Sequence, residues 1–280
     1  MKKQYLYILV ALVLLVSACS KEQVVLVPDK DDDELSGSET VTELDEKEIL
    51  EEEVVEQPVE EIIEPLYTLN AVWAFEPIGD ANSKAVLLTI DDAPDKYAVE
   101  MAKTLKELNA PAIFFVNGHF IDTEEEQARL KEIYELGFPI GNHTKTHANL
   151  KQISEQEQQE EIQMVSDTVE QVTGERPKFF RAPYGVNSDF SKAFVKEDGM
   201  LLMNWTYGYD WEKQYMNATA IADIMVNTEL LRDGANLLMH DREWTAAALK
   251  DIVEGLRAKG YDLIDPATIQ GVEGSDTDGL

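Results

Sequence analysis

Two of the four histidines in the chain, His143 and His147, lie four residues apart, a spacing at which two imidazoles can bind one metal ion. Many His-x-x-x-His pairs bind no metal, so the spacing alone favours ordinary surface or core histidines. Asp91 and Asp92 add two neighbouring carboxylates directly after an apolar run. Two imidazoles and one carboxylate form a common open zinc site with room for water. The four residues together favour metal-assisted hydrolysis.

The two carboxylates are suited to different tasks. Neighbouring side chains at the end of a strand diverge, so one can bind the metal while the other faces bound water. The ion would lower the pKa of that water from about 15.7 to roughly 7. A free carboxylate acting as general base is worth roughly 10²–10⁴ in rate. The alternative is that Asp91 and Asp92 form a solvated turn or a helix N-cap, as consecutive carboxylates ordinarily do.

Two further polar residues follow apolar runs. His240 comes after the run 237–239 and suits the general acid that protonates a leaving amine, although a histidine there is often a satisfied core residue. Arg181 precedes Ala182-Pro183-Tyr184 and could hold a catalytic carboxylate ionised. The alternative for Arg181 is a surface salt bridge.

The elements that position these residues alternate between strand and helix. Buried strands are expected from short apolar runs, and helices from apolar residues at helical spacing, with Thr123/Glu126 and Ser154/Glu157 as capping boxes. The predicted strands are 85–90, 111–117, 138–142, 179–180, 200–205, 235–239 and 261–264. The predicted helices are 98–108, 123–137, 154–174, 190–196, 218–231 and 245–259.

About seven strand–helix repeats over roughly 200 residues predict an α/β domain with a parallel sheet. Closed, this sheet would be a distorted (β/α)7 TIM-like barrel, one unit short of the eight-fold form. An open doubly wound sheet is the alternative, but carboxylates stand where its dinucleotide-binding glycines would be. The polar clusters all follow strands, so the barrel would bring them to one face. They are Asp91/Asp92, His143/His147, Arg181, Trp205 to Trp211 and His240.

These residues resemble the motifs of the NodB-like polysaccharide deacetylases, carbohydrate esterase family 4. The resemblance covers about residues 84–264 and keeps the order and spacing of the motifs. Residues 89–94 resemble Thr-Phe-Asp-Asp-Gly-Pro, and residues 141–147 contain the His-Ser/Thr-x-x-His motif. Residues 180–185 resemble the Arg-x-Pro-Tyr motif, and residues 238–240 the closing Leu-x-His.

The resemblance implies a role for each matching residue. Asp91 would be the general base, and Asp92, His143 and His147 would bind one divalent ion, usually zinc. The implied reaction is hydrolysis of an N-acetyl amide on an amino sugar, which releases acetate and leaves a free amine.

The remaining roles concern the surroundings of the metal. His240 would be the general acid, Arg181 would orient Asp91, and the Tyr184 backbone N–H would help to hold the oxyanion. Tyr184, Trp205 and Trp211 are candidates for binding sugar by stacking, although core packing explains tryptophans at strand ends about as well.

The sequence departs from the family pattern at two places. Ala93 replaces a glycine of the first motif, which could strain the loop if that position needs a positive φ. The fourth motif usually carries an aspartate a few residues before Asp-Trp. Here Asp210-Trp211 is preceded by Tyr207 and Gly208, so support of the arginine and the substrate class are both in question.

The charge of the chain bears on its partners. The chain has 55 Asp and Glu against 24 Lys and Arg, a net charge of -31. This argues against a nucleic-acid partner and against electrostatic docking on anionic lipid. Residues 21–65 hold 18 acidic residues against 3 lysines, a composition typical of a tether that cannot bury a core.

The single cysteine, Cys19, excludes an internal disulfide and a Cys-based zinc site. Residues 16–19 resemble a bacterial lipobox behind a basic and then apolar leader. We therefore expect a signal peptide over 1–18, an acidic tether over 19–66 from lipidated Cys19, a catalytic domain over 67–270 and a loose tail over 271–280. An uncleaved membrane anchor and an ordinary secretory signal are the alternatives.

The expected protein is an extracytoplasmic deacetylase that faces the cell wall and is held to the cell membrane by its lipid alone. Its partner would be an N-acetylated glycan, namely peptidoglycan N-acetylglucosamine or a chitin-like oligosaccharide. Two alternatives remain open. One is a non-catalytic glycan-binding lipoprotein, and the other is an O-acetyl esterase acting on xylan or a similar polymer.

Overall fold

The computed structural model describes residues 63–272, which hold nine strands and six α-helices. The strands are β1 Tyr67–Leu69, β2 Phe75–Pro77, β3 Ala85–Ala93, β4 Ile113–Val116, β5 Ile140–Asn142, β6 Phe179–Phe180, β7 Leu201–Leu202, β8 Asn236–His240 and β9 Asp262–Leu263. The helices are α1 Ala98–Glu107, α2 Glu124–Glu135, α3 Glu155–Thr173, α4 Asp189–Glu197, α5 Ala218–Asn227 and α6 Glu243–Ala258.

Seven of the strands form one parallel sheet in the order β7-β6-β5-β4-β3-β8, with β9 beside the first residues of β3. The sheet curls until its ends meet, and an isolated parallel bridge between Tyr207 and Leu237 joins them. The prediction of a distorted (β/α)7 barrel is therefore confirmed, and the open doubly wound sheet is not formed.

Strand β3 lies at the centre of the sheet and shows how the barrel is built. It pairs with β4 on one side and with β8 and β9 on the other. Its apolar residues alternate between two cores, because successive side chains of a strand point to opposite faces. Val86, Leu88 and Ile90 join the core beneath the helices, whereas Ala85 and Leu87 join the core inside the barrel. The same alternation directs Asp91 to the barrel interior.

Most helices begin and end close to where the sequence signals predict. Both predicted capping boxes are present, at Thr123 before α2 and at Ser154 before α3. Gly174 ends α3 in the left-handed conformation, with φ of 85°. Helix α5 is shorter than predicted and ends at Asn227, because Thr228 is extended and its hydroxyl pairs with the Tyr209 hydroxyl at 2.6 Å.

Two parts of the sheet differ from the prediction. Strand β7 has two residues rather than six, because the chain leaves β6 after Leu202 and turns to meet β8 at Tyr207. The antiparallel hairpin of β1 and β2 was not predicted. Tyr67 and Phe75 of this hairpin belong to the core inside the barrel, so the hairpin contributes apolar side chains to the interior.

Several sequence predictions lie outside the described residues. They are the signal peptide, lipidated Cys19, the tether as far as residue 62 and the tail from residue 273. Among residues 63–272 no helix has the length and apolar character needed to cross a bilayer.

Candidate active site

The carboxyl ends of β3, β5, β6 and β8 carry the predicted site residues. Asp91 and His240 are partners in the parallel register of β3 and β8. His143 directly follows β5, and its backbone N–H donates to Val116 O at 2.9 Å. Arg181 directly follows β6. Because the strands are parallel, these side chains meet at one end of the barrel.

Asp92, His143 and His147 form a compact set of candidate ligands. Their ligand atoms all lie within 4.8 Å of one another. The backbone is left-handed at Asp92, with φ of 60°, and at His147, with φ of 61°. Strand alternation alone would direct Asp92 to the opposite face from Asp91, so the left-handed backbone within β3 redirects its side chain toward the site.

The orientation of His143 suits a metal ligand. Its Nδ1 lies 2.7 Å from the backbone oxygen of Arg181, and a carbonyl can only accept, so Nδ1 carries the proton. Nε2 is then an unprotonated ligand atom, held in place by a hydrogen bond behind it. Two imidazole nitrogens and one carboxylate oxygen suit a divalent transition metal such as zinc. The residues therefore fit the ion that the sequence implies.

The charges around this set favour the forms that bind a metal. Burial raises the pKa of Asp92, but the nearby basic side chains of His240, His143 and Arg242 outweigh it and hold the pKa below its ordinary value. Burial lowers the pKa of His147, and the neighbouring His143 lowers it further. An ionised carboxylate and a neutral imidazole are the ligand forms required.

Asp91 is buried and lies between Arg181 and His143. Its Oδ1 accepts a hydrogen bond from Arg181 Nη1 at 2.7 Å, and its Oδ2 lies 3.5 Å from His143 Nε2. The same Nη1 donates to the Thr89 hydroxyl at 2.7 Å. Arg181 is fully buried, and its guanidinium lies over the Phe115 ring at 4.3 Å. The arginine is therefore an internal ion-pair partner rather than a surface residue.

The other side of Arg181 faces neutral groups. Nη2 donates to the backbone oxygen of Asn204 at 2.9 Å and lies 3.4 Å from Asn236 Oδ1. Its Nε is buried and has no hydrogen-bond partner among residues 63–272. The fourth motif usually has an aspartate a few residues before Asp-Trp. Tyr207, one of the residues in that region here, donates its hydroxyl to the Met225 backbone oxygen at 2.8 Å. Arg181 thus donates to one carboxylate, to the Thr89 hydroxyl and to amide oxygens.

His240 is held by Asp210, a residue whose role the sequence did not reveal. Asp210 Oδ1 lies 2.7 Å from His240 Nδ1, and Asp210 Oδ2 accepts the His240 backbone N–H at 2.6 Å. Burial lowers the pKa of His240, but the charge and hydrogen bond of Asp210 outweigh this and raise it above its ordinary value. The dipeptide Asp210-Trp211 was the only feature of the sequence that drew attention to Asp210, and it does not predict a hydrogen bond to His240.

The position of Ala93 differs from the expectation of backbone strain. The positive φ of this loop falls on Asp92, with Ala93 in ordinary backbone at the end of β3. The alanine is buried in the core beneath the helices. Replacement of the family glycine at position 93 is therefore accommodated.

Aromatic residues surround the candidate site to different degrees. The Tyr184 ring lies 4.8 Å from the His147 ring, and the Trp211 ring lies 5.5 Å from that of His240. Both are exposed, Tyr184 by 64% and Trp211 by 45%. Trp205 is half-buried beside Arg181 at 5.9 Å. Tyr184 and Trp211 are thus exposed rings beside two histidines of the site, whereas Trp205 is half-buried beside Arg181.

Comparison with known proteins finds a matching family and similar sequences. The polysaccharide deacetylase family matches residues 78–203. A peptidoglycan-N-acetylglucosamine deacetylase of Bacillus cereus is 32% identical over 187 residues, which are 64% of this chain and 68% of that protein. Peptidoglycan-N-acetylmuramic acid deacetylase PdaC of Bacillus subtilis is 30% identical over 197 residues, which are 69% of this chain but 40% of PdaC. The chain therefore spans less than half of PdaC.

Solved structures share the fold. The structure of PdaC superimposes with a TM-score of 0.60 at 29% identity, covering 68% of this chain and 91% of that one. A pseudoenzyme of carbohydrate esterase family 4 from Bacillus anthracis gives a TM-score of 0.60 at 26% identity, covering 67% of each chain. The fold is thus similar to that of both a deacetylase and a pseudoenzyme.

Proposed function

The chain belongs to the polysaccharide deacetylase family, and from this premise we propose that it is a metal-dependent deacetylase of cell-wall amino-sugar polymers. Its substrate would be N-acetylglucosamine of peptidoglycan, and its products a free amine and acetate. The observation that carries the proposal is the grouping of Asp92, His143 and His147 within 4.8 Å, beside Asp91 and His240 at the same strand ends.

The residues divide the work of amide hydrolysis. A divalent ion held by Asp92, His143 and His147 would polarise the acetyl carbonyl and lower the pKa of water. Asp91 would accept the water proton at Oδ2, since Oδ1 is bonded to Arg181. The water oxygen adds to the carbonyl carbon, and the bond from that carbon to nitrogen then breaks.

His240 would complete the reaction. Asp210 holds its Nδ1, which leaves Nε2 to donate a proton to the departing nitrogen. The raised pKa of His240 favours the protonated imidazole that this step requires. The amine leaves neutral, and the acyl group leaves with the added hydroxyl as acetic acid, which loses its proton to solvent to give acetate.

The exposed aromatic residues support a glycan as the substrate. Tyr184 and Trp211 lie beside His147 and His240, and aromatic faces with a few convergent polar groups are typical of sites that bind small organic rings. The choice of peptidoglycan rests on the activities in the names of the two relatives. Because the chain spans only part of PdaC, that protein's muramic-acid specificity is not transferred.

We further propose that the domain acts outside the cell membrane, anchored through lipid on Cys19. The lipobox-like residues 16–19 support this proposal. Labelling with a fatty-acid analogue should modify the parent chain and not Cys19→Ala, which should be released from the membrane fraction. Equal labelling of both chains would contradict the anchor.

A non-catalytic role in glycan binding is the second candidate. It is favoured by the absence of the usual fourth-motif aspartate, since Arg181 Nη2 faces neutral amides rather than a second carboxylate. The fold similarity to a pseudoenzyme points the same way. Under this candidate, wall binding would be unchanged by Asp91→Asn, and the parent chain would release no acetate.

A substrate panel tests the proposed function. Residues 20–280, supplied with zinc, would be assayed for acetate release from peptidoglycan, chitooligosaccharide and acetylated xylan. We expect release from the N-acetylated glycans and little from xylan. Release from xylan alone would identify an O-acetyl esterase, and release from none of the three would favour the binding role.

A further inference from the structure

Arg242 contacts a candidate metal ligand from outside the motifs that carry the family resemblance. It is the N-cap residue of α6 and follows β8 by two positions. Its Nη2 donates to Asp92 Oδ2 at 2.7 Å. The other oxygen, Asp92 Oδ1, lies 3.8 Å from His147 Nε2. One oxygen of the carboxylate is therefore taken by the arginine, and the other lies among the ligand atoms.

Arg242 is itself fixed to the loop that bears Asp92. Its Nη1 donates to the backbone oxygen of Asp241 at 3.1 Å. The buried Asp241 carboxylate accepts backbone N–H groups of residues 96–98 at the start of α1. The Asp241 backbone N–H donates to Asp91 O at 3.0 Å. Asp241, the residue before Arg242, is therefore hydrogen-bonded to both ends of the segment 91–98, which contains Asp92.

Each of the two neighbouring carboxylates thus has its own arginine. Asp91 is bonded to the fully buried Arg181, and Asp92 to Arg242, which is 37% exposed. A carboxylate with both oxygens free can turn and bind an ion through either or both of them. The hydrogen bond from Arg242 removes one of these choices.

We propose that Arg242 is a positioning residue that leaves Asp92 a single free oxygen and thereby sets the affinity and the coordination of the divalent ion. The proposal rests on the proposed function only in requiring that the site binds such an ion. It deepens that function by adding a residue that acts on the metal through Asp92 without contacting substrate.

The charge of Arg242 and its hydrogen bond to Asp92 should change metal affinity in opposite directions, so a substitution can distinguish the two effects. A guanidinium near a divalent cation repels it, so a pure charge effect predicts that removal of Arg242 strengthens metal binding. Loss of a hydrogen bond that orients a ligand typically weakens metal binding about 10–100-fold. Arg242 is 37% exposed, so solvent screens the effect of its charge on the ion, whereas the orientation of Asp92 needs the hydrogen bond itself. The positioning effect should therefore prevail.

The test compares Arg242→Gln and Arg242→Lys with the parent chain of residues 20–280. Zinc affinity would be measured by competition with a chromogenic chelator, and cobalt(II) absorption would report the coordination of the ion. We expect both variants to bind zinc about 10–100-fold more weakly and to change the cobalt spectrum. Arg232→Gln, which removes the same charge from an exposed residue before β8, should match the parent.

The opposite results would overturn the proposal. Tighter zinc binding by Arg242→Gln would show an effect of charge, and unchanged binding would show no effect of this residue. Parent-like zinc binding by Arg242→Lys would show that a positive charge at this position is enough and that the guanidinium is not required. Thermal unfolding of the metal-free chains separates misfolding from a change at the site. A parent chain that binds zinc but releases no acetate would contradict the proposed enzyme while leaving the role of Arg242 open to these same measurements.

Discussion

The carboxylate of Asp210 holds His240 at two points, the ring Nδ1 at 2.7 Å and the backbone N–H at 2.6 Å. Asp210 is fully buried, and its Oδ2 also accepts the Thr245 hydroxyl at 2.8 Å. One side chain therefore fixes the orientation, the tautomer and the charge of the histidine. This contact makes the assignment of His240 as general acid testable by pH.

Asp210→Asn should shift the alkaline limb of the pH profile of kcat/KM to lower pH. Asp210 raises the pKa of His240, and a general acid is active only while protonated, so activity is lost as the pH rises through that pKa. Removal of the charge lowers the pKa and brings the loss to lower pH. The exposed Asp223→Asn is the matched control and should keep the parent profile. An unchanged alkaline limb in Asp210→Asn would exclude His240 as the titrating acid.

Arg181→Met should destabilise the metal-free protein by about 3–5 kcal/mol, because Asp91 is then left as a buried charge without its partner. The double variant Arg181→Met with Asp91→Asn should recover part of this loss. Urea unfolding of the four chains in the cycle measures both effects. If the single and double variants are equally stable, the ion pair is not what Arg181 contributes to the fold.

Gly208→Ala should destabilise the fold at the point where the two ends of the sheet meet. A Cβ at this position would lie 2.4 Å from the backbone oxygen of Leu238, and backbone cannot move aside as a flexible side chain can. We expect a loss of about 1–3 kcal/mol and reduced activity, since Asp210 follows two residues later.

Gly79→Ala provides the comparison for that variant. It adds the same methyl group in open space, at φ of 58°, so only the left-handed backbone contributes, at about 1–2 kcal/mol. Thermal unfolding would compare the two chains. Full activity and parent stability in Gly208→Ala would show that the junction tolerates displacement.

Trp211→Ala should raise KM with little change in kcat or stability. The ring is 45% exposed and lies beside His240, where it can cover one face of a bound sugar. Loss of such a contact costs about 0.5–1.5 kcal/mol, or roughly 2–10-fold in KM. Met216→Ala, another exposed apolar residue, should leave KM unchanged. An equal fall in kcat and kcat/KM would show that Trp211 acts in the transition state instead.

The sequence predicted the parallel strands and most helix boundaries because their signals are local. Continuous burial of β3 follows from an apolar run of the right length, and the helix starts follow from Thr123 and Ser154. The hairpin of β1 and β2 lacks such a signal. Its strands have three residues each, and Phe75 is held by a hydrogen bond to the distant Gly234 backbone oxygen at 2.8 Å.

The candidate site shows the same division between local and distant signals. The spacing of His143 and His147 could be read directly, and the family resemblance related them to Asp92. The pairing of Asp210 with His240 spans 30 residues, and that of Arg242 with Asp92 spans 150. Such pairs depend on which strand ends meet, so they emerge only once the barrel is formed.

The most direct measurement is acetate release from chitooligosaccharide and peptidoglycan by metal-stripped protein, before and after addition of zinc. Parent, Asp91→Asn and His143→Ala chains would be compared, with zinc affinity measured for each. We predict that zinc restores release by the parent only, that His143→Ala binds zinc poorly, and that Asp91→Asn binds zinc while losing about 10²-fold or more in rate. Parent-like release by Asp91→Asn, or release by the parent unaffected by stripping the metal, would contradict the account.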